Sequence, residues 1–254
     1  MKYWFLVVLT ALFLAGSTVA QEGGEGAKLM LKIDFEEPIS GNGSGVFAAS
    51  SGTQETKWGK TVAAVATTAM AKDGKPWLAE HRVPGKTGQA YLFGGDEDKR
   101  YITVPYSEAI ETGKSDFSIS VWIKTVETSG LILLKTTTAP YWVVHLDKGK
   151  PRLMLNDGTG PTIALAARQV VNDGLWHHVV LTVKSNDALR FYVDGKVDGE
   201  VSFVRNLADM TKKAAIGIGG YGYPNWYFKG AMDSLRLYRG ALTADQVKQL
   251  FNEG

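Results

Sequence analysis

Much of the chain is written with a period of two. In FSISVWIK (Phe117–Lys124), Phe117, Ile119, Val121 and Ile123 share one face. HHVVLTV does the same with Val179, Leu181 and Val183, LRFYVDGK with Leu189, Phe191 and Val193, and AMDSLRLYRG with Leu235 and Leu237. Successive side chains of a strand point to opposite faces, so this alternation specifies strands half-buried against a core. LILLK, YWVVHL and RLML are further short strand patterns, and Leu29–Phe35 reads as the first strand. Turn signals divide them: Asn156-Asp157-Gly158, Asn172-Asp173-Gly174 and Asp194-Gly195. Such residues accept the positive φ that tight hairpins require.

One helix is well signed, at the C-terminal end. Thr243 is an N-cap with Gln246 three residues on, which makes a capping box, and Leu242 with Val247 makes a hydrophobic staple. Val247, Leu250 and Phe251 then form a short apolar stripe that docks the helix on a sheet. Many short strands and one short helix predict an all-β fold, a two-sheet antiparallel jelly-roll sandwich. There is no βαβ alternation and no repeat of fixed period.

The N-terminal residues read as an export signal, 1–20. Lys2 supplies the positive start, Tyr3 to Ala15 the apolar stretch, and Thr18-Val19-Ala20 the small residues before cleavage. The alternative is an N-terminal membrane anchor. Residues 21–27, QEGGEGA, form a flexible lead-in, and the domain runs over 28–254. Ser40–Gly45 is a loop by composition, and Asn42 opens a glycosylation acceptor triplet. The chain has no cysteine, so an exported domain must draw its stability from its core or from a bound metal. A chain of this size buries about 70–75% of its unfolded surface, enough for a core without disulfides. Net charge is +2, or +1 without Lys2, and no long basic run exists; nucleic-acid binding is excluded.

Four segments carry a resemblance. DGLWHHVVLTVKSNDALRFYVDGK (Asp173–Lys196) resembles the signature of the LamG-like jelly-roll family of the concanavalin A-like lectin/glucanase superfamily. GKTGQAYLF (Gly85–Phe93), DFSISVWIK and FKGAMDSLRLYRGALTADQV (Phe228–Val247) are similar to other segments of that family, in the same order. The resemblance spans most of Leu29–Phe251 and fits poorly over 46–80. It implies a concanavalin A-like sandwich, a binding role and a calcium ion. Asp233 matches the family's acid in the closing strand, and Asp34 the acid near its first strand; both supply the oxygen ligands calcium takes.

The residues themselves argue against catalysis. Glycoside hydrolysis needs two carboxylates flanking one bond, and the strand pattern Glu-x-Asp-x-x-Glu of the superfamily's glucanases is missing. Glu36-Glu37 are adjacent, and Asp96-Glu97-Asp98 reads as a solvated loop. There is no G-x-S-x-G elbow, and His81, His145, His177 and His178 lack zinc spacing. His177 and His178 diverge as neighbours on a strand, and Asp194-Gly195 is a turn rather than a catalytic acid.

GIGGYGYPNWYF (Gly217–Phe228) contains a formal G-x-G-x-x-G, yet it opens no helix that receives a phosphate. Its aromatics are the better lead, because sugar rings pack C–H faces on aromatic rings. Tyr221, Tyr223 and Trp226 are candidate ligand contacts in a loop, Asn225 is a polar handle, and Phe228 belongs to the core. Tyr227 is predicted to alternate onto the outer face. Trp142, with its neighbour Tyr141, and Trp77 are secondary candidates. The sequence therefore predicts an exported, non-catalytic binding module, secreted or periplasmic, for a glycan or a protein surface. An envelope adhesion module, or a glycoside hydrolase or polysaccharide lyase with an unrecognised site, are the alternatives. N-terminal sequencing of the exported protein is expected to begin at Gln21; a chain that retains Met1 contradicts the signal reading.

Overall fold

The computed structural model describes residues 26–35, 45–48, 55–56, 59–60, 66–71 and 81–254. The signal segment, most of the lead-in, Glu36-Glu37, Asn42 and Trp77 lie outside the described residues. In chain order the strands are β1 (Lys28–Ile33), β2 (Gly45–Ala48), β3 (Glu55–Thr56), β4 (Gly59–Lys60), β5 (Ala66–Ala71), β6 (Arg82–Pro84) and β7 (Gln89–Gly94). A single helical turn, α1 (Gly95–Asp98), precedes β8 (Arg100–Val104), β9 (Phe117–Lys124), β10 (Gly130–Lys135), β11 (Tyr141–Asp147), β12 (Lys150–Asn156) and β13 (Ile163–Ala166). The chain closes with β14 (Trp176–Val183), β15 (Asp187–Val193), β16 (Lys196–Phe203), β17 (Ile216–Ile218), β18 (Lys229–Arg239) and α2 (Ala244–Glu253).

The strands form two antiparallel sheets, as the alternation predicts. The first runs β16-β15-β14-β9-β18-β7-β6, with β1 also on β18; the second runs β13-β12-β11-β10-β17-β8-β5-β2. β3 and β4 form a separate two-stranded ribbon. The inward residues of both sheets make one core. Phe117, Ile119, Val121 and Ile123 from β9 lie in it with Val179, Leu181, Leu189, Phe191, Leu235 and Leu237. The facing sheet contributes Ile102, Ile132, Trp142, Val144, Leu153 and Ile218. Burial of each such side chain contributes about 1.5–3 kcal/mol against the entropy of ordering the chain.

The turn residues behave as their chemistry predicts. Asp194 and Gly195 have φ of +51° and +77°, and Gly158 and Gly174 have +82° and +81°. Helix α2 has the expected capping box, with Thr243 Oγ1 accepting from Gln246 N and Gln246 Oε1 from Thr243 N. Its stripe covers part of the outer face of the first sheet, where Val247 and Leu250 join Val180, Tyr192 and Tyr238.

The adjacent histidines of β14 do diverge. His177 is held between two carboxylates, Nδ1 at 2.8 Å from Asp194 and Nε2 at 3.1 Å from Asp173. Asp194 also accepts from His178 N, so this turn acid ties the hairpin together. The His178 ring faces the other way, with Nε2 at 2.9 Å from Ser120 Oγ and the ring stacked on Trp122. Burial pulls the pKa of His177 down, but its hydrogen bonds to Asp194 and Asp173 outweigh this and raise it above 6.5. For His178 burial dominates, Arg236 adds to it, and the pKa falls to about 3.

The first and last strands pair, as expected: Ile33 lies opposite Leu235 and Lys28 opposite Arg239. β18 pairs with β9 on one edge and with two strands on the other, Lys229–Met232 on β7 and Leu235–Arg239 on β1. A bulge at Ser234, with φ of +48°, separates these halves and keeps Met232 and Leu235 both in the core. The bulge also presents Asp233 to the turn between β6 and β7. Asp233 Oδ2 accepts from Lys86 N at 2.9 Å and Thr87 N at 3.0 Å, and Oδ1 from Ser234 Oγ at 3.2 Å. Gly85 is required there, because a Cβ would stand 2.7 Å from that carboxylate.

Asp233 and Asp34, the two acids expected to hold calcium, are both engaged by protein groups. The carboxylate of Asp233 is fully buried and receives two backbone amides and the Ser234 hydroxyl. Burial pushes its pKa up, against those hydrogen bonds. Asp34 is paired with Lys32. Among the described residues no group of three or more His, Asp or Glu is arranged to hold a metal. Asp233 is a structural link between the closing strand and a turn 146 residues away in sequence.

Two predictions follow from these links. Replacement Asp233→Ala leaves buried donors unanswered and is expected to cost about 1–3 kcal/mol in denaturant unfolding, equally with calcium and with chelator. A loss seen only in calcium contradicts this role. The histidines have opposite pH linkage. His177 stabilises the fold below pH 6.5, and this is lost as pH rises through its raised pKa. His178 is neutral in the fold, so its contribution is lost as pH falls from 6.5 toward about 3. Histidine NMR titration should give one midpoint above 6.5 for His177 and none for His178 until about pH 3.

Candidate ligand-binding site

The segment after β17 folds back over the outer face of the second sheet, and its glycines make this possible. A Cβ on Gly217 would lie 2.5 Å from the Tyr221 ring, and one on Gly219 would lie 2.3 Å from the Phe93 ring. Gly219 also takes φ of +72°. The formal G-x-G-x-x-G is thus a close-packing device that carries an aromatic loop.

Backbone hydrogen bonds hold the loop at its base. Gly219 N donates to Ile132 O, Phe228 N to Gly219 O, and Leu131 N to Trp226 O at 2.8 Å. At the outer end, Asn225 N donates to Asp96 Oδ1 at 2.6 Å, with Asn225 at φ of +63°, which asparagine tolerates. The acids of α1 therefore have partners: Asp98 pairs with Arg100, and Glu97 lies 3.8 Å from Lys229. Tyr227 and Phe228 are buried, Phe228 edge-on to Phe93 and Tyr227 against Tyr101. Tyr227 falls on the outer side, as predicted, but is covered there.

Above this base the predicted residues come together. Leu131, Leu134 and Val143 form a small apolar cluster on the outer face, and Tyr141, Met154, Tyr221 and Trp226 pack on it. Trp226 lies nearly parallel to His145, with ring centroids 6.0 Å apart and planes at 9°. Burial and nearby Arg152 lower the pKa of His145, against its hydrogen bond to Leu146 O and the charge of Asp147, so the stacked ring is neutral at pH 7. Tyr221 stacks on Tyr223 at 6.2 Å, and Tyr223 Oη lies 3.3 Å from Thr137 Oγ1. A pocket of about 450 Å³ is lined by Thr137, Tyr223, Pro224 and Trp226. Tyr223 is 43% exposed and Asn225 is exposed beside it.

Trp142 does not belong to this site. It faces inward, buried, with its ring 6.2 Å from Phe117 of the other sheet. Alternation along β11 sends Trp142, Val144 and Leu146 inward, and Tyr141, Val143 and His145 outward. The face therefore receives Tyr141, whose Oη is 2.7 Å from Thr162 Oγ1, and His145, which sequence reasoning did not assign to it. The parity of YWVVHL was the available signal. Asp233 and Asp34 lie on the first sheet, away from this loop.

The arrangement suits a ligand with an apolar face and hydroxyl groups: flat rings held in place, with Thr137, Tyr223 and Asn225 as polar neighbours. Among the described residues no helix is long and apolar enough to cross a membrane. Known proteins share both sequence and fold with the chain. It is 28% identical over 177 residues to adhesion G-protein coupled receptor V1 of Danio rerio, covering 66% of this chain and 3% of that protein. It is 28% identical over 163 residues to neurexin-3-beta of Homo sapiens, covering 63% and 23%. The chain thus spans a small part of these relatives. Two solved structures have the same fold. One is domain 4 of AbnA, a GH43 extracellular arabinanase from Geobacillus stearothermophilus, in complex with arabinotriose (TM-score 0.59, 22% identity, 89% of this chain and 99% of that one). The other is the binding domain of Paraclostridial Mosquitocidal Protein 1 (TM-score 0.58, 21% identity, 68% and 45%). The sequence profile of Laminin_G_3, described as the concanavalin A-like lectin/glucanases superfamily, matches residues 95–248. The chain belongs to this family.

Proposed function

We propose that the chain is an exported, non-catalytic module that binds a glycan on the outer face of its second sheet. One observation carries this reading: a pocket beside an exposed tyrosine and a tryptophan whose ring is fixed by stacking on His145. A ring held in place before binding loses little entropy when a sugar packs against it. Tyr223 and Trp226 supply the apolar faces, Tyr221 braces Tyr223, and Thr137 and Asn225 meet hydroxyls. The AbnA domain, of the same fold, is described with arabinotriose, so a glycan is compatible with such a sandwich. Nearby acids are engaged by other groups, Asp147 by Arg152 and Asp96 by the Asn225 amide, which favours binding over acid–base chemistry. Export rests on the composition of residues 1–20.

A second reading has its own support. Both curated relatives bear the names of cell-surface proteins, an adhesion receptor and a neurexin, and the same loop serves equally to contact a protein.

A glycan array probed with the mature chain, with Trp226→Ala and Tyr223→Ala alongside, separates these readings. The glycan reading predicts a bound oligosaccharide whose affinity falls about tenfold or more in each variant, the scale of a lost aromatic contact, with melting temperature nearly unchanged in Tyr223→Ala and lowered in Trp226→Ala, whose ring also packs on Leu131, Leu134 and Val143. Silence across the array favours the protein-contact reading. Reducing sugar released from the bound glycan contradicts the non-catalytic assignment.

A further inference from the structure

Among the described residues, α2 covers the centre of the outer face of the first sheet and leaves one end open. α2 lies over Val180, Tyr192 and Tyr238. Beyond it, Leu92, Ala231, Lys124 and Trp176 stand in register across β7, β18, β9 and β14. Ala231 is short, so this row forms a trough of about 590 Å³ with Leu92 and Trp176 toward its two sides. The trough is mostly apolar, with Lys124, Glu127 and Lys229 among its lining. Leu92 is 39% exposed, Val126 69% and Leu175 64%. Apolar groups exposed together in this way mark a contact surface more often than single ones do.

Lys124 decides what fits. It is exposed, pairs with no carboxylate among the described residues, and stands between Ala231 and Trp176 in the row. A partner that covers the trough crowds this ammonium, which favours a carboxylate beside it. The occupant must therefore present an apolar side chain next to an acid. The chain itself carries that pair on the same rim, in Val126 and Glu127, both of which line the trough. Glu127 has one loose local partner, Lys229, which also lines the trough, lies 3.9 Å away and is shared with Glu97.

We propose that this face pairs with a second copy of the chain about a two-fold axis. Val126 of each protomer enters the trough of its partner, and Glu127 of each meets the partner's Lys124. A two-fold contact makes every such interaction twice, which suits a patch holding both members of each pair. This surface is on the opposite sheet from the aromatic loop and does not depend on what that loop binds.

Sedimentation equilibrium of the purified chain tests the proposal. A concentration-dependent dimer is expected. Lys124→Glu and Glu127→Lys should each weaken it about tenfold or more, as close interfacial charge pairs do, and the double reversal should restore it. Val126→Lys, which sets a cation against the partner's Lys124, should also give a monomer. Unchanged thermal melting of the variants guards against misfolding, since all three residues are exposed or at the rim. A wild-type chain that stays monomeric throughout the accessible concentration range overturns the proposal. So does a dimer indifferent to the charge reversals.

Discussion

Phe117 of one sheet meets Trp142 of the other across the middle of the sandwich, and the structure depends on contacts of that kind. The chain has no cysteine, so no covalent staple joins the sheets. What joins them is one core made from the inward side chains of both. This imposes a strict register, because a slip of one residue would turn an entire strand's apolar set outward. The same register fixes which side chains are left to face outward. On the second sheet these include Tyr141, Val143 and His145; on the first they include Leu92, Lys124 and Trp176.

The two outer faces are finished differently. On the first sheet α2 covers the centre, stacking Phe251 on Trp122 and leaving the trough beyond it open. On the second sheet, among the described residues, the loop from Gly219 to Phe228 does the covering in place of a helix. It brings aromatic rings because it must bury Leu131, Leu134 and Val143, and the same rings then line the pocket. Packing and binding are served by one set of side chains, which is why Tyr227 is fully covered while Tyr223 remains exposed.

Much of the fold was legible in the sequence, since periodicity and turn chemistry are local. The faces of β9, β14, β15 and β18 follow from alternation, and the cap of α2 from Thr243 and Gln246. What escaped was non-local or broke the period. Bulges at Leu131–Leu133 and at Ser234 shift the alternation, so Ile132 and Leu133 both reach the core. The partners of Asp233 include backbone amides of a distant turn, which leave no mark in side-chain identity. Trp142 was assigned by residue type where parity was decisive. His145 lies some eighty residues before Trp226 in the chain, and only the β10–β11 pairing and the Leu131–Trp226 hydrogen bond bring the two rings together.

The central claim is that the loop over the second sheet is the ligand surface. The indole N–H signals of the tryptophans report on it most directly. In a titration followed by 1H–15N NMR with any oligosaccharide the protein retains, the Trp226 resonance should move in step with binding while that of buried Trp142 stays fixed. Binding that leaves Trp226 unmoved, or shifts confined to the first sheet, contradicts the account.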